Sequence, residues 1–220
     1  MPSAVPPGKM PAMYDPDDLV HQVKITIAGI EPAIWRRLLL PRDLNFAQLH
    51  EIIQSAFGWT DSHLHQFVVG GLVVGAPEFD EDGLSGRRTF EATEVVLGDL
   101  DFLRWPDPKI LYEYDFGDGW RHWIEFETEK PRAANEVLPR LVDGARGGPP
   151  EDVGGPRGYE RFLEAWNDPD HEEHREMRTW VGRAFKPEAF DREKTQKAIN
   201  AALRRCRKGY RFRRESDDGL

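Results

Sequence analysis

Apolar and polar residues alternate with period two from Val23 to Ile30, and the apolar-rich Ile34 to Leu40 follows after a Glu31-Pro32-Ala33 turn. Successive strand residues point to opposite faces, so the pattern predicts two strands of a hairpin. The period then changes. Phe46, Leu49, Ile52, Ile53, Ala56 and Phe57 recur at helical spacing. Asn45 is placed as the N-cap, Gln48 as its capping-box partner, Leu44 and Leu49 as a hydrophobic staple, and Gly58 as the stop. A third strand is predicted around His65 to Val69, ending at Gly70-Gly71. The apolar pair Val73-Val74 follows, and then a polar surface loop from Pro77 to Arg88.

The strongest hairpin signal lies in Tyr112 to Glu127, around Gly117-Asp118-Gly119. A three-residue loop sets Ile110, Tyr112, Tyr114 and Phe116 opposite Phe126, Ile124, His122 and Trp120 on one face, with Asp115 facing Arg121 on the other; a two-residue Asp118-Gly119 loop would oppose Phe116 to Arg121. The expectation is therefore one buried aromatic face and one polar face. No regular element fits the proline- and glycine-rich stretch from Lys130 to Gly158. Helices follow. Tyr159, Phe162, Leu163 and Trp166 form a stripe that stops before Pro169, and Asp170 with Glu173 makes a capping box for a helix carrying His174, Met177, Trp180 and Val181. A last helix from about Asp191 to Arg205 carries Thr195, Ile199, Ala202 and Leu203. Strands first and helices last predict an α+β fold, a mainly antiparallel sheet built from hairpins and covered by the early helix and a C-terminal group of about three helices.

Composition narrows the function classes. The 220 residues suit a single domain over 19–205, with a disordered leader at 1–18 and a charged flexible tail at 206–220. The leader has prolines and no apolar core, so it reads as neither signal peptide nor membrane span, and a soluble cytoplasmic protein is expected. Cys206 is the single cysteine, which excludes an internal disulfide and a cysteine-built zinc site. A net charge of −9 argues against nucleic-acid affinity over the whole surface but leaves room for a local basic patch. One exists at Arg204, Arg205, Arg207, Lys208, Arg211, Arg213 and Arg214, interleaved with Tyr210 and Phe212. Phosphate neutralisation with base stacking is one reading of it; a solvated helix end offset by Glu215, Asp217 and Asp218 is the other.

Candidate chemistry gathers near the hairpin. His63 and His65 stand two apart and share a side in extended chain; if the strands are neighbours, Asp115, Asp118 and His122 come near them. Neutral imidazoles with carboxylates suit a divalent metal such as zinc or manganese, and an open coordination position would activate water for a hydrolase acting on phosphodiesters. The competing reading leaves His65 and His122 in the aromatic face with their ring nitrogens satisfied, while Asp118 serves the turn and Asp61 and Ser62 cap another. Glu151 and Asp152 sit in a rigid loop that either binds a ligand or packs on the hairpin. His171 and His174 share a helix face. Ser62 has histidine neighbours but no nucleophile elbow around it.

Five motifs occur together and in order: Ile34-Trp35-Arg36-Arg37, Gly58 to Phe67, Tyr114 to Trp120, Pro149 to Gly155, and His171-Glu172-Glu173-His174. In this combination the chain resembles the plasmid pRiA ORF-3-like family. The resemblance implies a passenger protein of a mobile element, labelled resolvase-like (TnpR-like), with no assigned biochemistry. Gly148 stands where many members of that family carry cysteine. Neither a serine- nor a tyrosine-recombinase constellation is visible. With no complete catalytic set and no cofactor fingerprint, the expected function is a non-enzymatic binding or accessory module with an unknown macromolecular partner, nucleic acid among the options; the metal-dependent hydrolase is the alternative.

Overall fold

The two early stretches and the later strands build one sheet. The computed structural model describes residues 19–75, 88–182 and 184–217, without the side chains of Leu103 and of residues 207–217; the expected leader and nearly all of the loop after Pro77 fall outside the described residues. The elements are β1 (Leu19–Ile27), β2 (Trp35–Pro41), α1 (Phe46–Phe57), β3 (His65–Val69), β4 (Leu72–Gly75), β5 (Thr89–Glu91), β6 (Lys109–Tyr114), β7 (Trp120–Pro131), β8 (Arg140–Ala145), α2 (Gly155–Asn167), α3 (His174–Val181) and α4 (Arg192–Asp217). The strands form an eight-stranded sheet in the order β5-β4-β3-β6-β7-β1-β2-β8. Among the described strands, only β4 and β5 pair in parallel. The fold is thus α+β with a mostly antiparallel sheet.

Register decides what is buried. Across the sheet Ile25 pairs with Ile124, which pairs with Ile110, and Ile27 pairs with His122, which pairs with Tyr112, itself opposite Phe67. All of these are buried, and α1 covers them through edge-to-face contacts of Phe46 on Phe67 and Phe57 on His122. Each fully buried apolar side chain of this size contributes about 1.5–3 kcal/mol. The opposite face is polar: Arg37 pairs with Glu127 at 2.7 Å, and Gln22 donates to the same carboxylate at 2.8 Å. The α1 caps form as the sequence predicts. Asn45 Oδ1 accepts from Gln48 N at 2.9 Å, Gln48 Oε1 accepts from Asn45 N at 3.1 Å, and Gly58 ends the helix at φ +86°. Among the described residues, no helix is long and apolar enough to cross a membrane.

Four expectations are corrected. In the central hairpin Tyr112 pairs with His122 and Tyr114 with Trp120, a slip of two residues, so the connection is the five-residue Asp115–Gly119. The slip preserves which side chains face the core, except that Phe116 leaves the ladder and is 54% exposed. Its cause is Asp115, which adopts φ +52° and whose Oδ1 accepts from the backbone N–H of Gly117 and Asp118. That turn ends the ladder early, and Arg121 pairs with Glu113 instead of Asp115. Second, the stretch after Lys130 contains β8, which adds to the outer edge of β2 and buries Leu141. Third, the Asp170–Glu173 box does not form: Asp168 Oδ1 accepts from Asp170 N and His171 Nδ1 from Glu173 N, so α3 starts only at His174. Fourth, α4 continues beyond Arg205 to Asp217 and carries the basic run in helical backbone.

Candidate functional site

Three segments meet at the tip of the β6–β7 hairpin. The first leaves α1 through Gly58. Trp59 stacks on Tyr114 with ring centroids 5.1 Å apart and donates from Nε1 to Pro149 O at 2.9 Å. The segment then runs along the hairpin: Ser62 N donates to Tyr114 Oη and Asp115 N donates to Leu64 O. The second segment is the tip itself, and the third is the Pro149–Gly155 loop. Glu151 fixes that loop. Its carboxylate accepts from Tyr114 Oη at 2.5 Å, Thr60 Oγ1 at 2.6 Å and Thr60 N at 3.1 Å, while Gly154 N donates to Asp118 Oδ2 at 2.9 Å. Missing side chains permit this close seating. A Cβ on Gly148 would lie 1.8 Å from Phe57 O, and one on Gly155 2.1 Å from Asp118 O.

Where the segments converge, His63 Nε2 is 2.8 Å from Asp152 Oδ1 and 3.7 Å from Asp115 Oδ2. The ligand atoms of these three residues all lie within 4.8 Å of one another. Asp115 and Asp152 both hold left-handed backbone, at φ +52° and +60°, conformations that persist where surrounding contacts impose them. Desolvation works against charge on His63, but the hydrogen bond to Asp152 and the negative charges of Asp115, Asp152 and Glu151 outweigh it and raise its pKa. Glu151 is held below the usual carboxylate range: burial opposes this, and the hydrogen bonds from Thr60 and Tyr114 prevail. Tyr114 moves well above the ordinary phenol range through burial and its bond to Glu151, so it is the donor.

A second cluster lies inward. His50 Nε2 is 2.7 Å from Asp61 Oδ1, and its Nδ1 is 2.8 Å from Tyr112 Oη, which also accepts from Gln54 Nε2 at 3.0 Å. The carboxylate assigns the proton to Nε2, so Nδ1 accepts from the Tyr112 hydroxyl. His65 stacks on His50 at 3.5 Å with 7° between the rings. Burial, and secondarily His50, lower its pKa to about 3. His50, Asp61 and His65 also bring ligand atoms within 4.8 Å. Imidazole lone pairs lie in the ring plane, however, and two parallel rings aim them side by side rather than at one ion. The outer cluster is the better metal geometry.

The five residues grouped by the sequence therefore separate. His63 and Asp115 join Asp152 in the outer cluster. His65 joins His50 and Asp61, and Asp118 holds the loop backbone. His122 is fully buried between Phe57, Trp59 and Tyr112, and neither ring nitrogen has a partner among the described residues. It is too enclosed to be a ligand, and among the described residues its nitrogens are not satisfied, contrary to the structural expectation for the aromatic face. His171 and His174 serve backbone groups, the latter through Ala165 O at 2.8 Å. Arg204 and Arg205 are exposed on α4; the side chains of Arg207, Lys208, Arg211, Arg213 and Arg214 fall outside the described residues. His50 escaped the sequence reading, although its place one turn after Phe46 on the apolar stripe of α1 marks it as an inward-facing polar residue. Asp152 also stands on the rim of a cleft of about 590 Å3 lined by Val153, Arg161, Phe162, Met177 and Trp180.

Residues 19–194 match a family described as plasmid pRiA4b ORF-3-like protein. An uncharacterised protein, y4hQ, from Sinorhizobium fredii is 40% identical over 164 residues, which cover 74% of this chain and 81% of the relative. The crystal structure of a protein of unknown function from Methanosarcina mazei Go1 is 36% identical and superposes with a TM-score of 0.70, covering 80% of this chain and 96% of the other.

Proposed function

The chain belongs to the plasmid pRiA4b ORF-3-like family, and from that premise we propose that it is a binding module organised by a divalent cation held between His63, Asp115 and Asp152. One observation carries the reading: three ligands from three separate segments converge within 4.8 Å, and one of them, Asp152, borders a cleft. One imidazole and two carboxylates suit zinc or manganese and leave coordination positions for water or a ligand. The ion would supply a bridge between hairpin and loop; His63, Asp115 and Asp152 would hold it, while Tyr114, Thr60 and Glu151 keep the loop in register. Hydrolysis of phosphodiesters is less well supported, because three of the residues it invoked have other positions. Ser62 Oγ lies 2.7 Å from Thr60 Oγ1 and, among the described residues, hydrogen-bonds no histidine or carboxylate, which gives recombinase chemistry no support.

The test is calorimetric titration of chelator-treated protein with zinc and with manganese. One ion per chain is expected, with at least about tenfold weaker binding, roughly 1.4 kcal/mol, in Asp115→Asn. That substitution keeps the Oδ1 acceptor of the turn and removes charge. His122→Leu should bind as the parent does; no uptake of either ion by the parent removes the reading. The sign with pH is also set. Without metal, the raised His63 pKa contributes stability that is fully present below about 6.5 and lost as pH rises through the folded value. Ion binding needs the deprotonated ring and so strengthens over that same rise. The basic run on α4 supports a separate proposal, contact with nucleic acid. Deleting residues 204–214 should abolish a salt-sensitive association with DNA, and unchanged binding would exclude that role.

A further inference from the structure

Arg36 points from β2 into the buried face, is 2% exposed, and lies between the rings of Phe57 and Phe190 at 4.9 and 4.5 Å. Gly144 makes this sandwich possible, since a Cβ there would stand 2.6 Å from the Phe190 ring. A buried guanidinium ordinarily has a carboxylate partner, because an uncompensated charge away from water is costly. Arg36 makes no ion pair among the described residues. Its partners are carbonyls: Nε donates to Ala56 O at 2.9 Å, and Nη1 to Trp35 O and Ala145 O at 2.8 and 2.9 Å. Three of five N–H bonds are thereby used, and the two on Nη2 have no partner among the described residues. Burial, with no carboxylate to offset it, lowers the Arg36 pKa to about 10.

The guanidinium lines a groove of about 720 Å3 between the end of α1, the Gly147–Pro150 stretch and the start of α4. Lys186 and Lys194 line it too, both exposed. Asp191 is the single acid among the described residues of the lining, and its Oδ1 already accepts from Lys194 N. Among the described residues, three cations against one carboxylate make this groove locally positive in a chain of net charge −9. The volume lies in the range of small-molecule sites, and Nη2, whose two N–H bonds have no partner among the described residues, can donate a charge-assisted hydrogen bond to a phosphate oxygen.

We propose that this groove binds a small phosphate-bearing anion, with the Nη2 group of Arg36 and the ammonium groups of Lys186 and Lys194 contacting the phosphate oxygens. The site is separate from the cation cluster at the hairpin tip. The test is calorimetry of the full chain in chelator, so that no bound cation contributes, with orthophosphate, adenosine monophosphate and adenosine. Orthophosphate and the monophosphate are expected to bind and adenosine not to; a monophosphate at least about tenfold tighter than orthophosphate identifies an organic ester as the ligand, and equal affinities identify the free ion. Because Arg36 belongs to the core, the exposed pair carries the variant test: Lys186→Ala with Lys194→Ala should weaken phosphate binding at least about tenfold and leave the melting temperature of the unliganded protein unchanged. No binding of either phosphate at millimolar concentration, or unaltered affinity in the double variant, overturns the assignment.

Discussion

Gly148→Ala is expected to destabilise the folded chain by about 3 kcal/mol, at the upper end of what overpacking costs. The added methyl would lie 1.8 Å from Phe57 O, 2.8 Å from Phe57 C and 3.1 Å from Phe57 Cα. These are backbone atoms at the end of α1, anchored by the Gly58 cap, so no side-chain rotation relieves the contact. The loop must lift instead. Lifting it draws Pro149 O from Trp59 Nε1 and Glu151 from Tyr114 and Thr60, and moves Asp152 away from His63. The urea midpoint should therefore fall together with cation affinity, whereas Ala at the open position Gly119, though strained by its φ of +68°, should spare the affinity. A Gly148→Ala protein with the parent midpoint would mean that the loop does not seat against α1.

The second large effect is acid sensitivity. Burial lowers His122 to about 3 and His65 to about 3, and burial together with the Arg42 charge lowers His21 to about 4. The unfolded chain protonates these rings near 6.5, so between that value and the folded pKa values it binds more protons than the native state does. Stability then falls as the pH falls, by up to about 1.4 kcal/mol per pH unit for each ring and about 4 kcal/mol per unit for all three, with the partly buried His65 contributing least. Against a typical total of about 5–15 kcal/mol, unfolding is expected within roughly two to three units below neutrality. The carboxylates add to the loss further down: Glu127, held low by its Arg37 hydrogen bond, contributes stability present above its ordinary pKa and lost as the pH drops through the folded one. His122→Leu removes two orphaned polar atoms and one titrating ring. It should match or exceed the parent at pH 7 and unfold with a shallower pH slope, and an unchanged slope in urea melts at several pH values would contradict the burial argument.

How far the chain could be read in advance depended on whether the deciding interaction was local. The α1 caps involve residues three or four apart, and β3 is bounded by its own glycines, so both follow from short-range pattern. The slip in the central hairpin escaped because alternation has period two and cannot distinguish registers that differ by two; the deciding group was the Asp115 carboxylate folding back on its own turn. β8 escaped because it lies in a proline- and glycine-rich stretch, and its pairing partner β2 lies far back in the sequence. The candidate site was legible as a neighbourhood and not as a constellation. His63 and Asp115 were named together, but their third companion, Asp152, is positioned by Glu151 contacts to Thr60 and Tyr114 that no spacing rule reveals. The His50–Asp61 pairing depends on the left-handed turn at Asp61, φ +59°, which returns the chain over α1.

The placement of β1 bears on how the chain comes together. β1 is flanked by β2, a near neighbour in sequence, and by β7, so that Val20 meets Lys130 and Ile27 meets His122. On the ribosome, β1 emerges well before β7 and keeps one open edge until β7 has been synthesised, so the middle of the sheet is not completed until then. Lys24 and Gln22 on the polar face of that waiting strand supply the charge and polarity that discourage pairing with the wrong chain. Nascent chains stalled before residue 120 should accordingly remain protease-sensitive, with cooperative protection arriving only after β7 has cleared the exit tunnel.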